Sequence, residues 1–257
     1  MKALLIGLDG AVFQGDGIVP GVDRWISDLR ESGMPHLFIT NTSTCPRSDI
    51  VARLGRHGIH VQPQEILTPA VACAQWLCEH SIEKLALQIP RETAEDLVGF
   101  EIVPLSGGDS SPDAILIGDM GENWNYVKLN NIFRAMMETP QPRLVALGMT
   151  RYRKSDEGLN LDVAPFVRAI EYASGCTADV IGKPSETFFH EALHILNVEA
   201  SECAMIGDDI HSDIKGAQDA GLKGYLVKSG KFRDADLEAG IAPDKIFESI
   251  TDVDTFR

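Results

Sequence analysis

Short apolar runs alternate with helix-patterned stretches along this chain, and that alternation leaves few folds open. Ala3–Leu8 is an unbroken apolar run and reads as a strand buried on both faces. Pro20 then opens a helix whose apolar positions Val22, Ile26 and Leu29 repeat at helical spacing, and Gly33 stops it. His36–Thr40 reads as the next strand, Arg47–His57 as the next helix and Pro69–Cys78 as a further helix. Strands separated by helices in this rhythm predict an α/β fold with a doubly wound parallel sheet.

The rhythm restarts near Glu83. Leu85–Ile89, Ala114–Ile117 and Leu144–Leu147 read as strands; Glu92–Leu97, Tyr126–Met137 and Ala164–Ala173 read as helices. Gly107–Pro112 is a turn-rich loop in this stretch. After about Thr177 the first pattern resumes. Pro184–Leu196 reads as a helix, Cys203–Ile206 as a strand, Ile210–Ala220 as a helix ended by Gly221, and Gly224–Val227 as a strand. The expected organisation is a core domain of residues 1–81 and 178–257, interrupted by an inserted α/β cap domain of residues 82–177.

Four segments of the expected core carry chemistry. They are Leu5-Ile6-Gly7-Leu8-Asp9-Gly10, Phe38-Ile39-Thr40-Asn41-Thr42, Gly182-Lys183-Pro184, and Ile206-Gly207-Asp208-Asp209 followed by Asp213. Ligands of parallel sheets bind beyond the carboxyl ends of the strands, which places Asp9 well. The plainer alternative is a turn aspartate bonding its own loop. Asn41 and Thr42 can hydrogen-bond a phosphoryl oxygen, although alone they read as a turn or a helix cap. Lys183, just before Pro184, can supply a fixed positive charge, although most single lysines are simply solvated. Asp208, Asp209 and Asp213 exceed what capping one helix needs, and a few carboxylates with water and substrate oxygens suit magnesium.

Composition narrows the partners. The formal charge of −15 argues against non-specific nucleic-acid binding, which needs a basic surface. A small anionic substrate remains compatible, because a metal and one lysine reverse the field locally. The five cysteines (Cys45, Cys73, Cys78, Cys176, Cys203) are odd in number and form no C-x-x-C pair, which suggests reduced thiols and a cytoplasmic setting. The N-terminus does not read as a signal peptide, and no apolar run approaches membrane-spanning length. His190-Glu191-Ala192-Leu193-His194 matches a zinc-protease pattern, but Phe189, Leu193 and Leu196 make the expected buried face and leave His190, Glu191 and His194 toward solvent. Gly224 to Lys231 looks superficially like a P-loop, with the wrong glycine spacing and no Ser or Thr after the lysine.

Taken in order, the segments resemble the haloacid dehalogenase-like (HAD) phosphohydrolase superfamily over nearly the whole chain. The phrases Val19–Gly21, Ile39–Thr42, Gly182–Phe189 and Met205–Gly221 carry the resemblance. They point to the large-cap branch with the nitrophenyl-phosphatase-like and phospholysine phosphohistidine inorganic pyrophosphate phosphatase groups. The resemblance implies a small phosphorylated substrate, magnesium as cofactor, and a cap that closes over the site. It also suggests a homodimer through the cap. Asp9 would be general acid/base and offer its carbonyl to the metal. Thr40, with Asn41 and Thr42, would hold phosphoryl oxygens, and Lys183 would steady the phosphoryl charge. Asp208 would bind the metal directly, supported by Asp209 and Asp213. Arg151, Arg153 and Lys154 are cap residues that can contact an anionic substrate or form a solvated basic loop.

The departure is Gly7. The family motif is D-x-D-G, and its first aspartate attacks phosphorus and binds the metal; this chain has glycine there. Without a carboxylate no aspartyl-phosphate forms at residue 7. Two readings follow: a phosphohydrolase with turnover crippled or rerouted, or a pseudoenzyme that binds a phosphorylated ligand or partner without turnover.

Overall fold

A computed structural model of the protein describes residues 1–105, 111–155 and 158–254. By contacts the chain divides into two compact units. The first comprises Met1–Thr40, Arg47–Leu67 and Lys183–Arg257; the second comprises Asn41–Pro46 and Thr68–Gly182. The helix Pro69–Glu79 therefore groups with the second unit, whereas the sequence division put it in the core.

The first unit is built on a six-stranded parallel sheet. Its order is Lys245–Phe247, Lys223–Val227, Cys203–Gly207, Ala3–Gly7, His36–Ile39, Ile66–Leu67. The two central strands, Ala3–Gly7 and Cys203–Gly207, are buried at every position, as their uninterrupted apolar runs require. Leu5 pairs with Met205 on one side and Leu37 on the other, so neighbouring strands end almost level. The helix Val22–Glu31 buries Val22, Trp25, Ile26 and Leu29, and Trp25 Nε1 donates to Val253 O at 2.8 Å. The helix Glu186–Leu196 buries Phe188, Phe189, Ala192 and Leu193. It leaves His190 and His194 exposed and Glu191 half-buried; Phe188 joins the buried face unexpectedly, and Leu196 is only half-buried.

The expected helix Ile210–Ala220 forms differently. Ile210–Lys215 is a wide π-type turn, and only Gly216–Asp219 is regular α-helix. Asp209 O accepts from both Asp213 N (2.9 Å) and Ile214 N (3.2 Å). Single π-turns of this kind concentrate at functional sites.

The second unit carries its own five-stranded parallel sheet, ordered Asp179–Val180, Arg143–Ala146, Ala114–Ile117, Lys84–Gln88, Glu101–Ile102. Its core joins Ile115, Ile117 and Ala146 to Ile132 and Met136 of the helix Tyr126–Met136 and to Val167 and Ile170 of the helix Ala164–Ser174. The expected helix Glu92–Leu97 falls in a 3₁₀ stretch, Arg91–Leu97. A hairpin pairs Tyr152–Ser155 with Gly158–Leu161. Gly107–Ser110 of the expected turn-rich loop lie outside the described residues. Within this unit Ser43 pins the Asn41–Pro46 segment: its Oγ accepts from Asp119 N at 2.9 Å, and its carbonyl accepts from Thr93 Oγ1 at 3.0 Å. Among the described residues no helix is long and apolar enough to cross a membrane.

Candidate active site

The carboxyl ends of four adjacent strands of the first sheet hold the site. Asp9 lies two residues past Ala3–Gly7, Thr40 directly follows His36–Ile39, Asp208 directly follows Cys203–Gly207, and Ser229–Lys231 follow Lys223–Val227. Level strand ends make these neighbours in space although they are far apart in sequence.

Thr40, buried, donates its hydroxyl to Asp9 Oδ2 at 2.9 Å, while Asp9 itself is exposed. Lys183 Nζ pairs with Asp213 Oδ1 at 2.6 Å, and both side chains are buried. Asp213 Oδ2 also accepts from Asp209 N at 3.2 Å, a contact that the wide turn allows by folding Asp213 back over its start. Asp209 Oδ1 caps the turn by accepting from His211 N and Ser212 N, each at 3.0 Å. The carboxylates of Asp209 and Asp213 are thus committed to internal bonds around Asp208.

Asp208 is buried, and its Oδ2 accepts from Lys231 N at 2.6 Å. Burial first, and then the Asp213 charge, push its carboxyl up to about 7, against the Lys231 amide and charge. Asp209 moves the other way. Burial raises it, but the Ser212 amide, the Lys231 charge, the His211 amide and Lys183 together hold it below its ordinary value. Its capping contribution is therefore complete above 3.8, the ordinary aspartate value, and fades as pH falls from there through the lowered folded value. Asp209→Ala is expected to cost about 1 kcal/mol at neutral pH. Urea melts of both proteins should converge in strong acid, and a gap that stays constant there contradicts the assignment.

Gly7 ends its strand at full burial, in backbone that any residue adopts. A Cβ at that position would meet Ile206 O at 3.2 Å and Met205 Cε at 3.4 Å. Gly10 differs: at φ +80° it takes the left-handed conformation, and a Cβ there would stand 2.0 Å from Asp208 Oδ2.

Among the described residues no three His, Cys, Asp or Glu side chains converge as a ready-made metal cluster. A hard cation still fits the donor chemistry. Asp208 is a buried carboxylate whose charge the surrounding protein leaves under-compensated, and magnesium accepts one or two carboxylates with the rest water and phosphate oxygens. Asn41 and Thr42, half-buried, group with the second unit, where Asn41 Nδ2 lies 3.4 Å from Thr150 Oγ1. Arg151 is exposed, with its guanidinium 6.0 Å from the Tyr152 ring centroid; Arg153 and Lys154 lie in the strand Tyr152–Ser155. Ser229, Gly230 and Lys231 were not expected here. The signal was present in the Gly-Lys pair after an apolar strand, which the P-loop template alone did not explain.

A parallel α/β sheet with aspartates and a hydroxyl at its carboxyl edge, and a buried lysine–aspartate pair beside them, defines the class as a doubly wound fold with a candidate ligand site at that edge. The comparisons narrow it. The family profile of haloacid dehalogenase-like hydrolases matches residues 4–99, and the HAD-hydrolase-like profile matches residues 180–253. Human phospholysine phosphohistidine inorganic pyrophosphate phosphatase is 36% identical over 240 residues, which span 92% of this chain and 86% of that protein. Human haloacid dehalogenase-like hydrolase domain-containing protein 2 is 36% identical over 238 residues, 93% of this chain and 88% of its own. The solved p-nitrophenyl phosphatase from Archaeoglobus fulgidus superposes with a TM-score of 0.89 at 26% identity, covering 98% of this chain and 97% of that one. NagD from E. coli, at 22% identity and a TM-score of 0.87, shares the fold over 99% and 98% of the two chains. The chain belongs to the haloacid dehalogenase-like hydrolase superfamily, in the group of these phosphatases.

Proposed function

We propose that this protein is a magnesium-assisted phosphohydrolase of small phosphorylated compounds whose turnover is slow because residue 7 is glycine. The observation that carries the reading is the strand-end set of Asp9, Thr40 and Asp208, with Lys183 paired to Asp213 beside them, in a chain whose relatives include named phosphatases. Lys183 contributes positive charge beside the phosphoryl group, and Thr40 orients Asp9. Asp9 then manages the proton of the leaving group or of an attacking water. When bound, the metal would be held by Asp208 and the Asp9 carbonyl and would polarise the phosphoryl oxygens.

The second unit is the substrate-selecting cap in this reading, and its longer segment, Thr68–Gly182, which it holds together with Asn41–Pro46, supports an insertion near the expected 82–177. Arg151, Arg153 and Lys154 are its candidate anion contacts. A cytoplasmic location and a homodimer belong to the same proposal, with no role for nucleic acid or membrane. The rival reading is binding of a phosphorylated ligand without turnover, and Gly7 favours it. Steady-state hydrolysis of nitrophenyl phosphate with magnesium, by this protein beside Gly7→Asp, separates the two.

With one direct carboxylate, magnesium binding should be weak, of millimolar class. Calorimetry should register it in the parent and lose it in Asp208→Ala; identical isotherms refute the ligand assignment.

A further inference from the structure

The segment Ser229-Gly230-Lys231 closes on the site in three independent ways. Ser229 Oγ donates to Gly10 O at 2.5 Å. Lys231 N donates to Asp208 Oδ2 at 2.6 Å. Gly230 sits at φ +57°, so close that a Cβ would stand 2.1 Å from Asp208 Oδ2 and 2.4 Å from Gly10 Cα. From the other side, a Cβ on Gly10 would stand 2.0 Å from the same oxygen. Asp208 is therefore wedged between two left-handed glycines, which no side chain could replace without displacing it. One hydroxyl ties the two glycine turns together.

We infer that Ser229–Gly230–Lys231 is a positioning element: a main-chain clamp that fixes the Asp208 carboxylate against the Gly10 turn and presents Oδ1 to a divalent cation. This rests on the reading of Asp208 as the cation's ligand. A carboxylate held by its neighbours loses no torsional freedom when a metal arrives, and such outer contacts tune affinity strongly. The Lys231 side chain acts in the opposite sense. Its ammonium lies 3.7 Å from Asp209 Oδ2, and its charge opposes a second cation nearby. Main chain and side chain of one residue thus have effects of opposite sign.

The test uses two readouts on the full chain: amide hydrogen exchange at Lys231, and Mn²⁺ titration followed by water-proton relaxation. The metal-free parent should show a strongly protected Lys231 amide. Ser229→Ala should weaken Mn²⁺ binding by about tenfold and speed Lys231 exchange, and Ser229→Thr should restore both. Lys231→Met should keep the amide protected and bind Mn²⁺ more tightly. An unprotected Lys231 amide in the parent overturns the clamp without any variant being made. A folded Ser229→Ala protein with unchanged metal affinity and unchanged exchange also overturns it. If the parent binds no Mn²⁺, the cation reading fails. The amide then decides the clamp alone: protection that Ser229→Ala removes upholds it, and protection that survives overturns it.

Discussion

Replacing Gly7 by aspartate is expected to raise magnesium-dependent hydrolysis of nitrophenyl phosphate by about a thousandfold or more. A covalent nucleophile contributes roughly 4 kcal/mol or more of barrier lowering. Residue 7 has ordinary strand backbone, and a new Cβ would be tight only against the Ile206 carbonyl, at 3.2 Å, so that carbonyl must give by a few tenths of an ångström; Met205 Cε, at 3.4 Å, is in ordinary contact. The aspartate would also give the cation a second carboxylate beside Asp208. A metal-fluoride adduct or a trapped acyl-phosphate at residue 7 should then appear. If the parent already turns over as fast as Gly7→Asp, the attack comes from water or Asp9 and the role given to residue 7 is wrong. If Gly7→Asp is well folded and inert, the binding-protein reading prevails.

The second large effect is on stability. Lys183→Ala is expected to destabilise the protein by about 3–5 kcal/mol, because it leaves Asp213 buried and unpaired. For a chain of this size that corresponds to a fall in Tm of roughly 10 °C. The cost lies in the orphaned charge, so Lys183→Met combined with Asp213→Leu should recover a large part of it. The double variant should nevertheless stay inactive even with Gly7→Asp in place. A single variant that melts with the parent would show that the pair contributes little. In the proposed function Lys183 would have a second role beside its ion pair, and measuring stability and phosphate binding on the same variants separates the two.

Much of this is legible in the amino-acid sequence. The strands Ala3–Gly7 and Cys203–Gly207 are apolar without interruption, and only a sheet buried on both faces accommodates that. Thr40 and Asp208 follow strands directly and Asp9 lies two residues past one, so a parallel topology alone brings them to one edge. Strands of two or three residues, such as Ile66–Leu67 and Lys245–Phe247, were illegible because they are too short to show a period.

What the chain's order of residues determined by itself is the class of fold and the kind of chemistry, because burial pattern and residue type are local properties. Partnership was decided by tertiary structure. Asp213 turned out to be the counter-ion of Lys183, thirty residues away, and Asp209 the cap of a wide turn. Ser229, Gly230 and Lys231 joined the site only because Lys223–Val227 lies next to Cys203–Gly207 in the sheet. Hydrogen bonds and ion pairs act over about 3 Å, and only the folded sheet sets which strand ends come that close.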